Sequence, residues 1–150
     1  MAQKLRLGPS SEKRKTIKAV LDTSCLVSFF IQDSHSTKAK EVLEKLVNGE
    51  INGLIPAIVI AELAGVIRRN TDELTAREVL LKMRRLIENY EIKVIPISLE
   101  DTFKSSELAI AVGLKGADAT IANVAIVKKA KLMTFDEEIK KKVGERIEFL

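Results

Sequence analysis

From residue 17 onward the apolar positions alternate between two patterns, short continuous runs and longer stretches with helical spacing. Ile17, Ala19 and Val20-Leu21 form a short apolar run closed by Asp22, the pattern of a buried strand. Residues 36–48 place Ala39, Val42, Leu43, Leu46 and Val47 on one helical face and end on Asn48-Gly49, which predicts an amphipathic helix with a clear stop. Gly53-Leu54-Ile55 reads as a brief strand. Pro56 then suits the first position of a helix over residues 57–69, whose last turn carries Arg68 and Arg69 against the helix dipole. Residues 71–89 repeat the helical pattern, with Val79, Leu80, Met83, Leu86 and Ile87 on one face and Asp72 and Glu73 favouring the N-terminus.

Further along, residues 92–97 read as a strand, 99–112 as a helix, 116–129 as a helix rich in small residues, 131–134 as a strand and 136–143 as a short helix. A last strand near residues 146–149 is a candidate addition. Strands that alternate with helices predict an α/β fold with a parallel sheet covered on both faces, because parallel neighbours need crossover connections.

The first 16 residues follow neither pattern. They carry Lys4, Arg6, Lys13, Arg14 and Lys15 around Gly8-Pro9-Ser10-Ser11, and the division expected is a flexible basic arm, 1–16, ahead of a single domain, 17–150. The arm changes the meaning of the net charge of +4. Up to Lys18, six basic residues stand against Glu12, a surplus of five, so the remaining 19 basic and 20 acidic residues sum to −1. A total of 150 residues, 46% of them hydrophobic, suffices for one well-buried core and excludes a stapled mini-protein. Cys25 is the only cysteine, so neither an intramolecular disulfide nor a Cys-rich zinc site can form. With no apolar run of about 18 residues and no signal-like N-terminus, a cytoplasmic protein without membrane association is expected.

Four of the 21 acidic residues interrupt apolar text. Asp22 closes IKAVLD, Glu62 is the only charge in PAIVIAELAGVI, Asp118 lies in GLKGADATIANVAIV, and Asp136 follows KLMTF. A buried carboxylate without a partner is costly, so each needs a cation, hydrogen-bond donors or water. Plain readings exist for all four: Asp22, Asp118 and Asp136 can cap helices, and Glu62, in mid-helix, can pair with an Arg or Lys. The functional reading is collective. Asp22 and Asp136 fall where predicted strands end, Asp118 opens a helix, and Glu62 lies about two turns into another. In an open parallel sheet the crevice beyond the carboxyl ends of the strands is the ligand site. Four carboxylates converging there would repel one another unless divalent cations neutralised them, and an all-oxygen set suits Mg²⁺ or Mn²⁺.

The set VLDTS, the Glu of IAEL, the Asp of GADATIANVA and the Asp of LMTFDEEI resembles the PIN-domain ribonucleases, most closely the VapC-type toxins of toxin–antitoxin systems. The resemblance spans about residues 18–150. It implies a three-layer α/β/α sandwich around a mainly parallel sheet of four or five strands, with Asp22, Glu62, Asp118 and Asp136 as catalytic and metal-binding acids and Ser24 and Thr134 as supporting residues. It further implies one or two Mg²⁺ or Mn²⁺ ions, hydrolysis of RNA phosphodiester bonds, a small antitoxin partner and a homodimer. The basic arm departs from compact members of the family, which begin almost directly with the first strand.

Other candidates carry less. His35, in QDSHS, reads as a solvated loop residue or at most a substrate contact, Cys25 as a small core residue, and Phe29-Phe30 as core filling. An aromatic content of 4% argues against a base-stacking sheet of the RRM or OB type. The glycines form neither a P-loop nor a dinucleotide fingerprint. Arg68, Arg69, Lys82, Arg84 and Arg85 read as solvated helix faces or as RNA backbone contacts. A PIN-like module that binds RNA or protein without cutting is the alternative function. A phosphatase is disfavoured because Ser24 stands where a second Asp would follow Asp22.

Overall fold

The computed structural model describes residues 16–150, so the basic arm lies, but for its last residue, outside the described residues. Four strands, β1 (Ile17–Leu21), β2 (Ile51–Pro56), β3 (Ile92–Ile95) and β4 (Lys131–Met133), form one sheet in the order β3-β2-β1-β4, and every pairing is parallel. Each crossover contains two helices. Helices α1 (Thr23–Phe30) and α2 (Ser36–Val47) join β1 to β2, and α3 (Ala57–Asn70) and α4 (Glu73–Asn89) join β2 to β3. Helices α5 (Leu99–Val112) and α6 (Gly116–Lys128) return the chain from β3 to β4, and α7 (Glu137–Val143) follows.

Strand β1 is the core of the molecule. Ala19, Val20 and Leu21 are fully buried because β1 has neighbours on both edges and helices over both faces. That is why its sequence reads as a continuous apolar run and not as an alternating one. The chain leaves β1 towards β2 on one side, whereas β4 arrives on the other after the return through α5 and α6. The strand order therefore reverses at β1, and the crevice above the β1–β4 pair is the topological switch point of the sheet.

The predicted elements are all present, with shifted ends that have local causes. Strand β2 runs from Ile51, longer than the apolar triplet suggested, and Pro56 ends this strand in an extended conformation (φ −56°, ψ 136°) instead of opening α3. Helix α4 begins two residues later than predicted because the Asp72 carboxylate caps it, accepting the Thr75 N–H at 2.8 Å. Strand β3 stops at Ile95, before Pro96, which has no N–H to continue a ladder. Ser98 and Asp101 then form a reciprocal capping box on α5. The candidate fifth strand contracts to a single parallel bridge between Leu132 and Phe149, because Arg146 and Ile147 still bond back to Val143 at the end of α7. No single described helix is long and apolar enough to cross a membrane.

Two helix ends differ in how well their residue suits the backbone. Helix α5 ends on Gly113 at φ 74°, and α6 ends on Lys129 at φ 51°, both left-handed. A Cβ costs about 1–2 kcal/mol in that region. Replacement Gly113→Ala is accordingly expected to lose about 1 kcal/mol in urea unfolding, and Lys129→Gly to gain about 0.5–1 kcal/mol. Equal signs for the two changes would contradict this account.

Candidate active site

Asp22 is the first residue beyond β1, and its backbone is still held by the sheet, its N–H donating to the Met133 carbonyl at 2.9 Å. It occupies the N-cap position of α1 but makes no side-chain cap bond. Its Oδ2 instead accepts two hydroxyls, Thr134 at 2.7 Å and Ser24 at 2.9 Å. At 4% exposure the carboxylate is buried and its desolvation is offset by these two donors. The same hydroxyl oxygens accept the backbone N–H groups of the β4–α7 turn: Thr134 that of Asp136 at 3.0 Å, and Ser24 that of Phe135 at 2.9 Å. Each hydroxyl has one proton and gives it to Asp22, so the 3.3 Å approach of Ser24 to Thr134 is a contact and not a third bond.

The other acids arrive from three different helices. Glu62 lies on the second turn of α3, and its carboxylate accepts the Thr23 hydroxyl at 2.9 Å, in place of the Arg or Lys pairing open to a mid-helix acid. Asp118 is the third residue of α6; that helix begins at Gly116, with Lys115 at its N-cap position, so Asp118 caps nothing. Asp136 does cap α7, its Oδ1 accepting from the N–H groups of Glu138 at 2.9 Å and Ile139 at 3.3 Å. The capping reading is therefore right for Asp136 and wrong for Asp22 and Asp118.

All four line one cleft of about 430 Å³, together with Ser24, Asp33, His35 and Phe135. Asp118 registers the convergence. Its carboxyl is pushed up to about 6, first by burial and then by the charges of Asp22, Asp136 and Glu62, with Lys115 opposing. Asp33 is a fifth acid at the cleft that the sequence pattern missed, because it sits in the polar QDSHS loop where solvation explained it. Its carboxyl is held below the usual range chiefly by the Ser28 hydroxyl.

Among the described residues no three His, Cys, Asp or Glu side chains close around a single point as a metal cage. The donors are nevertheless carboxylates, crowded enough to raise one of their own number. Such a set fits Mg²⁺ or Mn²⁺, ions that keep several waters and bind through one or two carboxylates, better than a dehydrated cage metal.

Away from the cleft, Cys25 is fully buried and its thiol is pushed up to about 12 by burial and by Asp22, as an inert core group requires. Phe29 and Phe30 meet edge to face at 4.9 Å. Arg68, Arg69, Lys82, Arg84 and Arg85 are exposed. His35 is also exposed, but it does not stand alone as a solvated loop residue: its ring lies parallel to Phe135, with centroids 4.4 Å apart and planes 11° apart. The near-neutral sum of charge beyond Lys18 also hides a separation. Lys18, Lys129, Lys131 and Arg146, with Glu148 among them, line a hollow of about 460 Å³ around the amino ends of β1 and β4, while Asp22, Glu62, Asp118 and Asp136 gather at the carboxyl ends.

A parallel sheet carrying an acidic cleft at its switch point, with acids at these places in the chain, defines the PIN-domain class. The family model for the PIN domain matches residues 19–145, and the chain belongs to that family. Its fold is shared by solved VapC-type structures. VapBC2 from Rickettsia felis, solved bound to a DNA fragment from its promoter, has a TM-score of 0.67 at 22% identity, covering 89% of this chain and 98% of that one. The sarcin-ricin loop cleaving toxin VapC20 of Mycobacterium tuberculosis has a TM-score of 0.68 at 15% identity, covering 82% and 93%. A toxin–antitoxin complex from Klebsiella pneumoniae has a TM-score of 0.59 at 23% identity, covering 83% and 89%. No curated protein matches the chain in sequence.

The site's energetics have opposite signs at two positions. Thr134→Val keeps the shape but removes the Asp22 donor and the Asp136 acceptor, and is expected to cost about 1–3 kcal/mol in urea unfolding. Asp118→Asn relieves repulsion. Because the folded-state value of Asp118 lies above its unfolded value near 3.8, the contribution of Asp118 to stability falls as pH rises from about 4 to about 6. In EDTA at pH 7.5 the Asn variant should therefore melt about 2–4 °C higher, which corresponds to about 1 kcal/mol after solvent screening of a half-buried group. The gain should vanish near pH 4; a gain independent of pH would refute the assignment.

Proposed function

We propose that the chain is a metal-dependent endoribonuclease that hydrolyses RNA phosphodiester bonds, and that it is the toxin of a toxin–antitoxin pair. The observation that carries this reading is the convergence of Asp22, Glu62, Asp118 and Asp136 on one cleft, with Asp118 raised first by burial and then by the other three acids. Membership of the PIN family and a fold shared with VapC structures support it.

Asp22, Glu62, Asp118 and Asp136 would hold the cation. When bound, Mg²⁺ or Mn²⁺ supplies a water nucleophile at neutral pH and stabilises charge on the leaving oxygen. Ser24 and Thr134 act as positioning residues, since they occupy Asp22 Oδ2 and leave Oδ1 for the cleft. Thr23 orients Glu62 in the same way. The capping bonds of Asp136 take Oδ1 alone, so its second oxygen remains available. The N-terminal ends of α1 and α6 open at the cleft and favour a phosphate there. The arm cations Lys4, Arg6, Lys13, Arg14 and Lys15 add backbone contacts whose strength falls with salt. Antitoxin binding and homodimerisation both bury apolar surface, and α5 presents Leu99, Phe103 and Ile110 on one exposed face.

Purified protein incubated with single-stranded and structured RNAs and Mn²⁺ should cleave at discrete sites. Asp118→Asn should lower the rate at least about 100-fold, and Thr134→Val about 10–100-fold. Mn²⁺ should raise the melting temperature of the wild type and leave that of Asp118→Asn nearly unchanged. Equal RNA binding by both proteins, with cleavage by neither, would favour the non-cleaving module instead.

A further inference from the structure

The stacked pair His35–Phe135 is the feature of the cleft that the proposed chemistry leaves unused. Phe135 lies between Thr134 and Asp136, and its N–H is fixed by the Ser24 hydroxyl, so its ring is anchored to the acidic cluster. His35 comes from the loop between α1 and α2, which is tied down on every side. The Asp33 carboxylate accepts the His35 N–H at 2.8 Å and the Ser28 hydroxyl at 2.8 Å. The Ser36 hydroxyl, in a residue only 1% exposed, accepts the Asp33 N–H at 2.8 Å and donates to the Ser28 carbonyl at 2.7 Å. One face of the imidazole is covered by the Phe135 ring, 4.4 Å away and within 11° of parallel, and the side chain is otherwise exposed at the mouth of the cleft. A rigid aromatic surface backed by a second ring, with a free outer face beside an anion-processing site, matches what an unpaired base needs to stack.

We propose that His35, backed by Phe135, is a stacking shelf for one unpaired nucleobase of the RNA strand entering the cleft. The proposal rests on the nuclease reading and extends it to the substrate: the strand must offer a splayed, single-stranded nucleotide beside the scissile phosphate. Stacking tolerates every base, so the shelf selects for unpaired structure and leaves base identity to other contacts. Paired nucleotides cannot use it, because their faces are already occupied.

The test compares a fluorescein-labelled uridine 12-mer with a ribose-phosphate chain of the same length and charge that lacks bases, in Mn²⁺, by anisotropy. The protein is the full chain carrying Asp118→Asn, whose expected loss of at least about 100-fold in cleavage keeps the strand intact while binding is read. The base-containing strand should bind about 5–100-fold more tightly than the abasic one. Adding His35→Ala or His35→Gln should abolish that ratio without changing the abasic affinity, and His35→Phe should preserve it. In cleavage assays with Asp118 intact, His35→Ala should raise KM and leave kcat within about two-fold. Equal weakening of both strands, an unchanged ratio in His35→Ala, or a fall in kcat alone would overturn the shelf. Cleavage by the wild type with no base-dependent ratio would sink the shelf and leave the nuclease standing. A ratio that depends on His35 in a protein that cuts no RNA would do the reverse.

Discussion

The bond pair from Ser24 and Thr134 to one oxygen of Asp22 is the constraint on which the site depends. It places an ionisable group beyond the fully buried end of β1 and makes that burial tolerable with two short hydroxyl donors. The hydroxyls also accept the N–H groups of Phe135 and Asp136, so one small network joins the turn after β1 to the turn after β4. Those turns are 111 and 112 residues apart in the chain. With the network in place, Asp136 and Phe135 are positioned by the backbone, and Glu62 is drawn to the same place through Thr23, the residue next to Asp22.

The gathering of carboxylates runs against stability. The Thr23, Ser24 and Thr134 hydroxyls are each committed to holding an acid, and Asp118, which has no donor of its own among these bonds, answers burial and then the neighbouring charges with a raised proton affinity. Stability is sacrificed where the acids gather, a common pattern at functional sites. The opposite end of the sheet is lined by Lys18, Lys129, Lys131 and Arg146. A charge sum near zero is therefore compatible with an acidic cleft at the carboxyl ends of the strands and a mainly basic hollow at the amino ends.

Most of the secondary structure was legible along the chain, because burial on both faces leaves Ala19-Val20-Leu21 of β1 as an unbroken apolar run and burial on one face leaves α2 and α4 with a clear helical period. Misplaced ends trace to local bonds that hydrophobic periodicity does not record. The Asp72 cap set the start of α4, and the contraction of the last strand to one bridge followed from the tight turn after α7. The four acids stood out for a simple reason, that a charge within apolar text requires an explanation. Asp33 did not stand out, and His35 read as a loop residue or at most a substrate contact, because a polar loop makes such residues look ordinary.

By itself, then, the sequence determined the α/β class, the parallel sheet and which acids needed a partner, since these follow from hydrophobic period and from the cost of burying charge. Only the tertiary structure decided what each acid does. Asp22 takes hydroxyls from two turns, Glu62 bonds Thr23 in place of a cation, and His35 lies flat on Phe135. The physical reason is separation: these partners lie up to 112 residues apart and meet because β1 has β2 on one side and β4 on the other. Local periodicity carries no record of a contact between two turns, and the chemistry of this chain resides in such contacts.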